Sequence, residues 1–116
     1  VFVDDMADIG ALDVAPVVRP RDSYPEGVNV EFVKIIEGNT IAMRVFERGS
    51  GETQSCGTGT CAVALAATLK KNKSVPAKWV VYPPGGRLEV DIDGHSNATL
   101  IGPAELVRDV DLAKFF

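Results

Sequence analysis

Hydrophobic and polar positions along the chain change period several times, and each change marks a candidate element. Val1 to Val3 reads as a short first strand, followed by acidic residues and a mixed segment from Met6 to Leu12. From Asp13 to Gly27 the periodicity is lost. Pro16, Pro20 and Pro25 interrupt a polar stretch, which predicts a connecting loop with room for one helical turn. Val28 to Ile36 restores a period of two, with Val28, Val30 and Phe32 expected on one face of a half-buried strand. Glu37-Gly38-Asn39-Thr40 predicts a hairpin turn, and Ile41 to Glu47 a second strand with Ile41, Met43 and Val45 on its inner face.

A glycine-rich stretch from Arg48 to Thr60 then leads into Cys61–Leu69, which is apolar at eight of nine positions. Such a run predicts a helix buried on all sides, with small alanines allowing close approach of a sheet. Lys70, Lys71 and Lys73 follow it, where the helix dipole favours cations. Strand patterns recur at Lys78–Tyr82, Arg87–Ile92 and Asn97–Ile101, separated by turns at Pro83-Pro84-Gly85-Gly86 and Asp93-Gly94. The expected fold is α+β, a single domain over residues 1–116, with a largely antiparallel sheet curled around one buried central helix.

Composition narrows the function classes. The 116 residues hold 12 Lys+Arg against 16 Asp+Glu, a formal charge of −4, which disfavours a phosphate-backbone partner. No apolar run approaches the ~20 residues of a bilayer span, and no signal-peptide pattern opens the chain. Two cysteines are too few for a disulfide framework, so reduced thiols and a cytoplasmic setting are expected. The chain begins at Val1 inside an apolar run, which reads as a piece of something longer.

The candidate chemistry centres on Cys56, in strand–glycine loop–helix context. The first N–H groups of a helix have no internal partners and carry partial positive charge, which favours a thiolate and offers a cradle for a carboxylate or phosphate. Gly57 and Gly59 keep side chains away from those amides. A thiolate beside a carboxylate cradle suits proton abstraction next to a carboxylate; the plainer reading is an inert cysteine beside a tight turn. Cys61, about 140° further round the helix, reads as a small core residue rather than a partner of Cys56. A C-x4-C zinc half-site lacks further ligands, and a Walker-type phosphate loop lacks its Gly-Lys-Ser/Thr ending.

Glu47 and Arg48 end the strand that feeds the loop. An adjacent Glu-Arg pair is commonly just solvated, but here it borders the cradle, where Glu accepts an ammonium and Arg a carboxylate. Glu52 reads as ordering the loop, Asn29 as facing solvent from the polar side of its strand, and His95 as an exposed turn residue.

The run Glu47-Arg48-Gly49-Ser50-Gly51-Glu52-Thr53-Gln54-Ser55-Cys56-Gly57-Thr58-Gly59-Thr60-Cys61-Ala62 resembles the C-terminal catalytic segment of diaminopimelate epimerases. Gly27-Val28-Asn29-Val30-Glu31-Phe32, Pro84-Gly85-Gly86 and Leu100-Ile101-Gly102-Pro103-Ala104 are similar to flanking parts of the same family. The resemblance implies one half of a pseudo-symmetric two-domain fold that interconverts LL- and meso-diaminopimelate without a cofactor, in lysine and peptidoglycan precursor synthesis. It implies Cys56 as one of two cysteine bases, with Gly57 and Thr58 N–H groups on the reacting carboxylate. Glu47 and the Arg48 backbone would take the α-ammonium; the Arg48 side chain and Asn29 would take the distal end. The second cysteine would come from an N-terminal domain of the same protein, so the chain alone is expected to be inactive. The partners implied are the small-molecule substrate, that N-terminal domain and a homodimeric second copy. Racemases and isomerases of the same superfamily, and a non-catalytic thiol- or anion-binding module, are the rival readings.

Overall fold

The computed structural model describes residues 1–116. Gly38 (φ 70°) and Asn39 (φ 56°) supply the left-handed backbone that folds β1 (Val30–Ile36) back onto β2 (Thr40–Glu47) as an antiparallel hairpin. After a second tight turn, β3 (Gly51–Thr53) returns along the end of β2. The helix α1 (Gly57–Lys70) then carries the chain across, so that β4 (Ala77–Tyr82) pairs with β2 in parallel. A parallel pair requires such a crossover. β5 (Leu88–Ile92) and β6 (Ala98–Ile101) complete a six-stranded sheet in the order β1-β2-β4-β5-β6, with β3 paired to β2 off this path, antiparallel apart from β2 and β4.

The fold is therefore α+β with a mostly antiparallel sheet, as expected, but the helix is not wrapped on all sides. Its buried residues are Gly59, Thr60, Val63, Ala64, Ala67 and Thr68, all toward the sheet, while Ala62 is exposed and Leu69 is 76% exposed. Apolar character all round thus reflects one packed face and one uncovered face. The core under α1 is built from Val33, Ile41, Met43, Val45, Trp79, Val81, Val90 and Ile92. Trp79 is almost wholly buried and donates its indole N–H to the Thr68 hydroxyl at 2.8 Å, so its polar atom is satisfied inside the core.

The first hairpin strand differs from its expected facing. β1 begins at Val30, and Glu31, Val33 and Ile35 lie opposite Val45, Met43 and Ile41. Directly opposed residues share a face, so the odd-numbered residues look toward α1 and Val28, Val30 and Phe32 look away. Apolar side chains occur in both sets because both faces of β1 are covered. The segment preceding β1 crosses the back of the sheet, where Gly10 accepts a hydrogen bond from Arg44 Nη1 at 2.8 Å and Leu12 is buried. Val1–Val3 is not a full strand. It forms a single parallel bridge, Phe2 to Val33, before a 3-10 turn at Met6–Ile9, capped by Asp5, diverts the chain.

Residues beyond β6 leave the sheet. Apart from a 3-10 turn at Leu112–Lys114, the tail is irregular, and Leu106, Val107, Phe115 and Phe116 are exposed. The accessible surface is 8110 Å² for a 12.4 kDa chain, against about 6,100 Å² for a compact monomer of that mass. No helix is long and apolar enough to cross a membrane.

Candidate functional site

The crossover places the start of α1 at the end of the sheet where β2 finishes. Cys56 is the N-cap, in extended conformation, and its side chain makes no capping bond. Its carbonyl accepts the first intrahelical bond from Thr60 N–H at 2.8 Å and a second from the Thr60 hydroxyl, also at 2.8 Å. The N–H groups of Gly57, Thr58 and Gly59 therefore precede the helical ladder and form no backbone bond. Gly57 and Thr58 are exposed, Cys56 is buried, and Cys56 Sγ lies 3.6 Å from Thr58 Oγ1. A thiol and an open set of helix-terminal amides thus occupy one place.

The loop reaching that place is held from outside. Gly85 N–H donates to the Gln54 carbonyl at 2.8 Å, and a Cβ on Gly85 would fall 2.9 Å from that oxygen. The prolyl-glycyl turn between β4 and β5 therefore clamps the residue two before Cys56, and only glycine permits the approach. Leu100 of β6 closes the other side, since a Cβ on Gly57 would sit 3.3 Å from its Cδ2.

Glu47 and Arg48 sit at the end of β2. Glu47 is half-buried on the helix-facing side, in line with Val45, and one of its carboxylate oxygens accepts the Thr53 hydroxyl. Arg48 is exposed. Its backbone N–H donates to Asn29 Oδ1 at 2.8 Å, and its side-chain stem runs over Gly27, where a Cβ would lie 3.2 Å from Arg48 Cγ. Asn29 is exposed, as expected, yet it also fixes the lip of the site through Arg48. The Arg48 side chain forms no ion pair and borders a 340 Å³ hollow with Arg21, Tyr24, Val17 and Phe46. Cys56, Gly57 and Thr58 thus form one contacting group, and Asn29, Glu47 and Arg48 a second at the adjoining strand end.

The remaining candidates fall outside both groups. Glu52 makes a two-pronged pair with Arg44 (2.6 and 3.0 Å), and the guanidinium hydrogen bond holds its carboxyl below the usual range. It orders β3 against the back of the sheet. His95 is an exposed turn residue whose N–H donates to Asp93 Oδ1. Cys61 packs half-buried against the core, and burial pushes its thiol up. Neither cysteine is in a disulfide. A larger hollow of 540 Å³ lies elsewhere, lined by Gly38, Asn39, Lys78, Val80, Glu89 and Asp91, and touches none of the site residues.

Glu31 is the residue that sequence reasoning missed. A Cβ on Gly59 would sit 2.9 Å from Glu31 Oε1 and 3.3 Å from Cys56 Sγ, so the carboxylate and the thiol flank the same point of the helix start. Its signal in the sequence is a charge in register with Val33 and Ile35, which shows only once the facing of β1 is known.

The family model described as diaminopimelate epimerase matches residues 1–107 and so contains every site residue above. The chain belongs to the diaminopimelate epimerase family. It is 39% identical over 106 residues to the diaminopimelate epimerase of Geobacillus sp. (strain WCH70), covering 91% of this chain and 37% of that protein. It is 42% identical over 113 residues to the diaminopimelate epimerase of Streptomyces coelicolor (strain ATCC BAA-471 / A3(2) / M145), covering 93% and 39%. The chain thus spans less than two-fifths of the length of these family members. Among solved structures, a PhzF-family phenazine biosynthesis protein of Bacillus anthracis aligns with a TM-score of 0.48 and 22% identity, covering 66% of this chain and 26% of that one.

Proposed function

We propose that the chain is the C-terminal catalytic half of a diaminopimelate epimerase, contributing one of two bases to cofactor-free inversion at an α-carbon. The observation that carries this reading is the buried Cys56 thiol at the N-cap of α1, beside the unpaired N–H groups of Gly57, Thr58 and Gly59.

Removing an α-proton from an amino acid drives charge onto its carboxylate. Donors fixed at that carboxylate before reaction stabilise the developing charge without reorganising, and losing one such donor typically costs about 100–1,000-fold in rate. Gly57 and Thr58 N–H groups supply donors of that kind. Cys56 as thiolate takes the α-proton or, as thiol, returns one. Glu47 and the Arg48 carbonyl receive the α-ammonium. The Arg48 guanidinium and the Asn29 amide, held together by the Arg48 N–H bond, receive the far end of the substrate. The second cysteine approaches the opposite face of the α-carbon from an N-terminal domain of the same protein, and the enzyme works in the cytoplasm.

The test is conversion of LL- to meso-diaminopimelate in D2O, followed by NMR, with the complete protein and its Cys56→Ala variant. Inversion is expected to fall at least ~100-fold, the usual scale for a lost acid–base group. Retained inversion removes Cys56 from the mechanism. The 116-residue chain assayed alone is expected to be inactive, and measurable turnover by it would refute the two-domain reading.

A further inference from the structure

Side-chain alternation sends Glu47 and Arg48 to opposite faces of the sheet. Glu47 stands with Val45 on the helix side, and Arg48 follows Phe46 onto the back, where it meets the loop that precedes β1. Two turns shape that loop. The 3-10 turn at Arg21–Ser23 is closed by Ser23 N–H on the Pro20 carbonyl at 3.1 Å, and Gly27 N–H donates to the Tyr24 carbonyl at 3.0 Å. Gly27 (φ 85°) adopts left-handed backbone, and the room left by its missing side chain takes the Arg48 stem. The result is a 340 Å³ hollow bordered by Arg21, Tyr24 and Arg48 and walled by Val17, Val28 and Phe46. That volume lies at the lower end of the range of about 300–1,000 Å³ for small-molecule sites.

The charge of this hollow is one-sided. The chain carries 16 acidic residues against 12 basic ones, yet no acidic residue lines the hollow. Arg44 and Arg87 are paired with Glu52 and Glu89, whereas Arg21 and Arg48 have no carboxylate partner. Asp22 and Glu26 of the same loop are exposed and stay outside it. Two guanidiniums and a phenol beside an apolar wall suit a carboxylate on an apolar body, since guanidinium forks bind carboxylates bidentately. They do not suit an ammonium, which would meet two cations and no anion. Diaminopimelate carries an ammonium at each end, so it can share Arg48 but is a poor occupant of the hollow itself.

We propose that the hollow is an inhibitory site for a small carboxylate with an apolar body and no ammonium group. Its carboxylate sits between the Arg21 and Arg48 guanidiniums, with the Tyr24 hydroxyl as a third donor, and its body packs on Val17, Val28 and Phe46. Bound there, it withdraws Arg48 from the far end of the substrate. Arg21 serves this ligand alone, while Arg48 serves both. The inhibitory role rests on the epimerase reading above; the binding site does not.

The test uses the complete protein with hexanoate as probe and its ω-amino derivative, the same body with an added ammonium, as comparator. Binding is read by isothermal titration calorimetry, and inhibition by conversion of LL- to meso-diaminopimelate. Hexanoate should raise the wild-type KM and leave kcat unchanged, and the amino derivative should bind more weakly. Arg21→Gln should leave kcat and KM without hexanoate unchanged, because Arg21 is exposed, unpaired and away from the reacting centre. It should weaken both binding and inhibition by hexanoate about tenfold or more, the usual loss for a hydrogen bond to a charged group. Arg21→Lys keeps the charge without the fork and should fall between wild type and Arg21→Gln. Hexanoate that inhibits Arg21→Gln as strongly as wild type acts in the substrate site, and overturns the proposal. So does a wild-type protein that binds no hexanoate, or binds the amino derivative equally well. A higher KM for diaminopimelate in Arg21→Gln alone also overturns it, by giving the hollow to the substrate. A wild-type protein that binds hexanoate through Arg21 but inverts no diaminopimelate upholds the site and refutes the epimerase reading, with the inhibitory role.

Discussion

Replacing Gly85 by Ala tests whether the clamp on the cysteine loop is steric. Gly85 does not lie in the left-handed region, so alanine is permitted by its backbone and space alone decides. The added Cβ would lie 2.9 Å from Gln54 O, 3.3 Å from Gln54 Cβ and 3.4 Å from Gln54 C. These are mostly main-chain atoms that cannot rotate aside, so the two segments must separate. Overpacking of this kind costs about 1–3 kcal/mol, and stretching the 2.8 Å bond from Gly85 N–H to Gln54 adds up to about 1 kcal/mol. Against that, Gly→Ala reduces unfolded-state entropy by about 0.4–1 kcal/mol. The net destabilisation is about 1–3 kcal/mol, or a fall in Tm of roughly 3–12 °C for a chain of this size. Gly94→Ala is the control. Gly94 also avoids positive φ but has no atom within 4 Å of the added Cβ, so only the entropy gain remains and Tm should rise slightly. Thermal unfolding by circular dichroism reads both, and Cys56 alkylation should quicken in Gly85→Ala as its loop shifts. Equal melting of the two variants would show that the clamp does not depend on the missing Cβ.

Other outcomes follow from the same contacts. Thr68→Val removes the acceptor of the buried Trp79 indole N–H and should cost about 1–3 kcal/mol, most of it absent when Trp79 is already Phe; an additive double mutant contradicts this. Arg44 lowers the Glu52 carboxyl by hydrogen bonding, so the pair stabilises the fold above the unfolded carboxyl value of about 4.3 and loses that contribution as pH falls through the lowered folded value. The denaturant-midpoint difference between wild type and Glu52→Gln should be flat from about pH 5 to 7 and shrink below about pH 4. A difference that holds unchanged into strong acid rejects the pair as its source.

Much of this arrangement is legible in residue order, and the exceptions have physical causes. Ile41, Met43 and Val45 declared the inner face of β2 because its other face carries Ala42 and Arg44. β1 was misread by one position because Val28, Val30 and Phe32 are covered by the preceding segment, so period two no longer distinguishes core from back. That slip hid Glu31. The helix starts at Gly57, not Cys61, because Gly-Thr-Gly-Thr has weak helix propensity and packing against the sheet overrides it. The thiol and its amides were readable, since they depend on a local strand–loop–helix order. The clamp by Gly85, the tie from Asn29 to Arg48 and the parallel pairing of β2 with β4 depend on contacts between distant segments, for which no local pattern exists.

Strand β2 is hydrogen-bonded to three neighbours, β1, β3 and β4, more than any other strand of the sheet. Its amides should therefore be among the last to exchange with deuterium, opening only with the whole fold rather than by local fraying. Glu47 and Arg48 stand at the end of this most protected element, while the amides of Gly57 and Thr58 open the helix packed upon it. The two groups of site residues are thus anchored to one slow-exchanging unit. Substrate would meet a surface whose spacing was set at folding, so little of its binding free energy would be drawn into ordering the protein.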